Sequence, residues 1–101
     1  PFRAPMIIVI ISKYKEHPKV PELEQQLSTA AAAQNILLSL NALGYGAIWR
    51  TGKFALDKRI NHYMGLETDE LILGYLYIGT ADGKKREVPV VDLEKYLQQW
   101  S

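Results

Sequence analysis

Hydrophobic positions along the chain change period several times, and each change marks an element. Met6-Ile-Ile-Val-Ile-Ile-Ser12 is an unbroken apolar run rich in β-branched residues, the pattern of a strand buried on both faces. Ser12 to Lys19 carries charges and Pro18 and reads as a loop. From Pro21 the spacing becomes helical, through Leu23, Leu27, Ala30, Ala31, Gln34, Leu37, Leu38 and Asn41. Pro21 suits the first turn of that helix, and Glu22 and Glu24 suit its positive end. Gly44 is a natural residue to stop it. A helix of this extent is about 35 Å long at 1.5 Å per residue.

The second half alternates in the same way. Gly44 to Gly52 holds a very short apolar strand. Phe54 to Tyr63 has Leu56, Ile60 and Tyr63 at helical spacing, ended by Met64-Gly65-Leu66. Asp69 to Gly79 is the second strong strand, Thr80 to Glu87 a basic loop, and Val88 to Val91 extended. Asp92 can cap a short last helix over Leu93 to Trp100. Without repeats or linkers, residues 1–101 read as a single domain of the α/β (α+β) class, with a sheet flanked by helices.

The turn in Gly44-Tyr-Gly-Ala-Ile-Trp-Arg-Thr-Gly52 is the candidate site. Ligands of α/β proteins sit beyond the carboxyl ends of strands. Trp49 offers a ring, Arg50 a fixed charge, Thr51 a hydroxyl, and Gly52 room for the backbone to approach. Trp49 also has a plainer reading as a packing aromatic. The small-sided stretch Ser28 to Gln34 reads either as good helix propensity or as a close helix contact within a dimer.

Composition narrows the chemistry. A net charge of +1, from 12 Lys+Arg against 11 Asp+Glu, calls for neither nucleic acid nor an anionic membrane. The chain has no cysteine, so disulfides and thiolate metal sites are excluded. Its longest apolar run falls far short of the roughly 20 residues that span a bilayer, and no signal peptide is visible, so a cytoplasmic protein is expected. His17 and His62 lack metal-ligand spacing and read as solvated. Asp57, Glu67, Asp69 and Glu70 read as helix-surface and loop carboxylates with no reason to pair. Lys84-Lys85-Arg86 reads as a solvated loop. The opening Pro1-Phe-Arg-Ala-Pro5, without methionine, reads either as a natural N-terminus with no preceding element or as a piece of a larger protein.

Four segments in order carry a resemblance: Arg3-Ala-Pro-Met-Ile-Ile-Val, Ala30-Ala-Ala-Ala-Gln-Asn-Ile-Leu-Leu, Leu43-Gly-Tyr-Gly-Ala-Ile-Trp-Arg-Thr-Gly, and Leu73-Gly-Tyr-Leu-Tyr-Ile-Gly-Thr80. Together they are similar to the C-terminal half of the FMN-dependent nitroreductase family. The Trp-Arg-Thr-Gly version points to its small, minimal branch. The resemblance implies a homodimer with a mixed sheet and helices around it, and FMN in the dimer interface. It implies NAD(P)H as hydride donor and a nitro compound or quinone as acceptor. No acid–base residue is then required, because the flavin carries the chemistry. Trp49, Arg50 and Thr51 fall where the family contacts flavin. The family's arginine-bearing segment that grips the FMN phosphate has no counterpart in these 101 residues, so only part of an FMN site is expected. Two other readings stay open: a non-catalytic dimerisation domain, and a small α/β module binding an anionic ligand.

Overall fold

The β-branched run pairs as expected of its composition, but at an edge. The computed structural model describes residues 5–52, 57–80 and 88–100. Strand β1 (Met6–Lys13), helix α1 (Glu22–Ala42), strand β2 (Tyr45–Arg50), helix α2 (Lys58–Tyr63) and strand β3 (Glu70–Thr80) follow in chain order. The sheet order is β1-β3-β2. Both pairings are antiparallel, so the α1 crossover joins two strands that run the same way on either side of β3. The expected class holds. The resemblance implied a mixed sheet, whereas the pairs described are both antiparallel.

Register fixes which residues share a face. Leu76 of β3 lies opposite Ile8 and Trp49, and Ile78 lies opposite Met6 and Ala47. On the other face Tyr75 lies opposite Val9 and Arg50, and Tyr77 opposite Ile7 and Ile48. Helix α1 covers the Leu76 face. There Ile10, Ala33, Leu76 and Ile78 form the buried cluster, with Ile36, Leu37 and Leu40 of α1 packed against it. Ala33 is 1% exposed: a small residue here lets the helix approach the sheet. Among the alanines, Ala31 and Ala32 are exposed in the single chain, so Ala33 is the one fully buried against the sheet.

Several expectations need correction. β1 is not buried on both faces; it is an edge strand whose Met6 and Ile11 are exposed. A bulge between Ile10 and Ile11 leaves Leu73 as the extra residue on β3. Pro21 is the N-cap of α1 and stands one residue before the helix. The last helix is a single 3-10 turn, Leu93–Lys95, capped by Asp92 as expected. A segment of eight residues cannot hold a helix without packing, and Leu93, Tyr96, Leu97 and Trp100 are all exposed. α2 is described from Asp57 onward; the Phe54–Leu56 part of its expected span, and Lys84-Lys85-Arg86, lie outside the described residues.

Gly44 behaves as read. It follows the C-cap Leu43 with φ +89° and donates its N–H to Asn41 O at 3.1 Å, a left-handed stop that glycine adopts without steric cost.

Candidate functional site

Strand β2 ends at the site, and alternation divides its last residues between the two faces of the sheet. Trp49 points to the α1 side. Its half-buried indole packs against the core cluster. Arg50, one residue on, points to the opposite side beside Tyr75 and is exposed. Thr51 and Gly52 follow outside the strand, both exposed, with Gly52 at φ +67°. A Cβ at Gly52 would meet nothing within 4 Å. The glycine there serves the backbone bend and leaves the space beyond the strand open.

Arg50, Thr51 and Gly52 are consecutive and all exposed at the end of β2. The structure spends most of Trp49 on packing. Arg50 has no carboxylate partner among the described residues, where the one ion pair is Arg59–Asp57 at 3.5 Å. Residues 44–52 themselves contain no carboxylate.

The other titratable residues take local structural roles. Asp57 caps α2, accepting from the Arg59 N–H at 2.9 Å. That hydrogen bond holds its carboxyl below the usual carboxylate range, with the Arg59 side chain adding to the effect and partial desolvation opposing it. Glu70 accepts from the Glu67 N–H at 2.8 Å. His17 is exposed, as read, and its Nδ1 accepts from the Lys19 N–H at 3.1 Å. Among the described residues, no group of three or more His, Asp or Glu could hold a metal ion.

Sequence reasoning missed four features. Gln25 reaches back from α1 to Lys15, accepting its N–H at 2.9 Å and donating to its carbonyl at 2.7 Å, and so pins the loop after β1. Asn61 is 2% exposed, and neither of its side-chain polar atoms has a partner among the described residues. It lines a cavity of about 290 Å³ with Leu66, Thr68 and Glu70. A more apolar groove of about 370 Å³ lies between Met6, Leu40, Tyr45 and Ile78, at the other end of β2. Neither concavity includes Trp49, Arg50 or Thr51. A last feature, the close approach of Trp49 to Gly74, has no sequence signal beyond a glycine inside a strand.

Comparison with known proteins settles the family. The nitroreductase family's sequence profile matches residues 1–80. The chain belongs to the nitroreductase family. YdjA of Escherichia coli strain K12, provisionally named an NAD(P)H nitroreductase, is 38% identical over 80 residues, which is 79% of this chain and 44% of YdjA. A Haemophilus influenzae protein with the same provisional name is 30% identical over 97 residues, covering 94% of this chain and 53% of the relative. The chain thus spans about half the length of these relatives. A crystal structure of a nitroreductase-like protein from Bacillus cereus superposes with a TM-score of 0.74 at 22% identity, over 91% of this chain and 49% of that one. That likeness concerns the fold alone. No described helix is long and apolar enough to cross a membrane.

Proposed function

We propose that this nitroreductase chain contributes one wall of an FMN site in a cytoplasmic NAD(P)H-dependent oxidoreductase that reduces nitro compounds, quinones or similar flat acceptors. The observation that carries the reading is the end of β2. There an arginine with no carboxylate partner among the described residues, a hydroxyl and an open glycine backbone follow one another, on a chain of this family. These residues fit one edge of a planar, anionic cofactor.

When bound, FMN supplies the relay of a hydride from NAD(P)H to the acceptor. The chain's own part is binding and tuning. Arg50 would hold the cofactor by offering a fixed positive charge to its anionic groups, and its guanidinium can donate two parallel hydrogen bonds. Thr51 offers a hydroxyl, and the Thr51 and Gly52 backbone N–H groups lie where the strand ladder no longer uses them. Trp49 anchors the wall from behind through its packing against the core. The lack of an acid–base cluster suits this division of labour.

Assembly is part of the reading. Leu23, Leu27, Leu38 and Leu43 lie along α1 and past its end, each more than half exposed. Packing of α1 against a second copy would cover them, and a homodimer would bring a second set of residues to the flavin.

The test is an FMN titration of the chain and its Arg50→Ala variant, followed through flavin absorption and fluorescence. Saturable binding that weakens in the variant supports the site. Absence of any saturable binding at millimolar FMN overturns it.

A further inference from the structure

Gly74 lies in the middle of β3, the central strand, where glycine weakens a sheet because it is flexible and packs nothing. Its backbone does not require glycine. The described glycines with positive φ are Gly44, Gly52 and Gly65, and Gly74 is not among them. Its surroundings do require it. A Cβ built on Gly74 would overlap Nε1 of Trp49 and come within 2.8 Å of its Cδ1 and Cε2. The five-membered ring of the indole therefore rests on the bare backbone of β3. Register explains how. Trp49 lies opposite Leu76, and Gly74 is the diagonal neighbour two residues along the same face. Gly74 is buried beneath the ring.

We propose that Gly74 is a positioning residue: its missing side chain is the seat of the Trp49 indole, and the seated ring fixes the end of β2 that presents Arg50 and Thr51. The argument runs through geometry. Arg50 is the last residue of β2, so no further ladder holds Thr51 and Gly52. The nearest large side chain that can clamp this end is Trp49. A ring lifted from its seat by one methyl group must turn about χ1 or carry the strand end with it. Either change moves the adjacent Arg50 backbone. The seat itself does not depend on the cofactor; its consequence for FMN rests on the function proposed above.

A competing explanation is local. Gly74 adjoins the β1–β3 bulge at Leu73, and bulges often use glycine. A double-mutant cycle separates the two. Gly74→Ala is made in the full chain and again in a Trp49→Val background, where the ring is gone and a β-branched residue keeps the strand. In the first background the folding equilibrium constant should drop about tenfold or more, the scale of an overpacked core site. In the second the change should stay within about threefold, the usual size of a neutral swap. Amide resonances of Arg50, Thr51 and Gly52 should shift in Gly74→Ala. They should not respond to the same change in the Trp49→Val background. With Trp100→Phe removing the other indole, Trp49 emission should move to the red in Gly74→Ala. Equal losses in both backgrounds would assign Gly74 to the bulge and overturn the seat. Unmoved turn amides with a displaced ring would overturn the positioning role. FMN affinity is read last: if the parent chain shows no FMN binding, the flavin reading fails while the amides still decide the seat.

Discussion

Substituting one residue on each face of the sheet tests the face assignment on which the site depends. Leu76→Ala removes a side chain that is 0% exposed and lies between Ile8 and Trp49. Truncating a buried leucine costs about 2–5 kcal/mol, because the neighbours only partly close the cavity. Ile48→Ala acts two positions along β2 from Arg50, on the same face, where the side chain is 59% exposed. Only about two fifths of its burial is available to lose, so the cost should be about 1 kcal/mol. A domain of this size is stable by about 5–15 kcal/mol, so both variants should fold. With a urea slope of about 1.5 kcal/mol per molar, the midpoint should fall by about 2 M for Leu76→Ala and by less than 1 M for Ile48→Ala. Tryptophan emission in a Trp100→Phe background follows the unfolding, since Trp49 packs against Leu76. Equal losses for the two variants would refute the assignment, and Arg50 could no longer be placed on the accessible face.

Four further outcomes follow from the same geometry. Arg50→Ala should leave the urea midpoint nearly unchanged, within about 0.5 kcal/mol for an exposed unpaired side chain, while weakening FMN binding by about 1–3 kcal/mol; full flavin affinity in the variant would make Arg50 structural. The 101-residue chain alone should hold FMN weakly and give little NAD(P)H-dependent nitro reduction, because the phosphate clamp implied by the family resemblance is not among its residues; stoichiometric binding with steady turnover would refute this. Sedimentation at micromolar concentration should show self-association through α1, which Leu27→Glu should reduce; a well-behaved monomer would refute it. Asp57 has a folded pKa below its unfolded value, so its contribution to α2 is full above about pH 4 and is lost as pH falls through the folded value; the Arg59 amide resonance should titrate in that range, and Asp57→Asn should abolish the titration while keeping the cap.

The elements legible in the sequence are those with strong local causes. The β-branched run of β1, the helical period ended by Gly44, and the long apolar run of β3 each show in a window of a few residues. Topology was less legible. An α1 crossover between two strands suggests parallel neighbours, and nothing local to β1 or β2 says that β3, some 20 residues downstream, inserts between them. β1 looked doubly buried because composition reports affinity for an apolar face but not the number of faces covered. The final helix failed for the opposite reason: its cap and period are present, but no described surface packs against Leu93, Leu97 or Trp100. Asp57 was visible as a carboxylate and not as a cap, because its role depends on where α2 starts.

Trp49, Arg50 and Thr51 form a contiguous sequence segment, and the fold gives them unlike work. A strand sends neighbours to opposite sides, so Trp49 and Arg50 cannot both present their side chains to one ligand from a regular strand. The structure resolves this in favour of packing for the ring and exposure for the charge. That arrangement suits a site built against a flat cofactor. Positive charge held at a strand end is useful only if the end is rigid, since a mobile arginine surrenders entropy on binding that offsets the contact it makes. Here rigidity comes from the far side of the sheet, through an indole resting on Gly74 and the core beneath it. The aromatic that seemed the most direct candidate for stacking on a flavin thus does more for the site as an anchor. The residue that makes the anchor possible is a glycine 25 positions away, with no functional group at all.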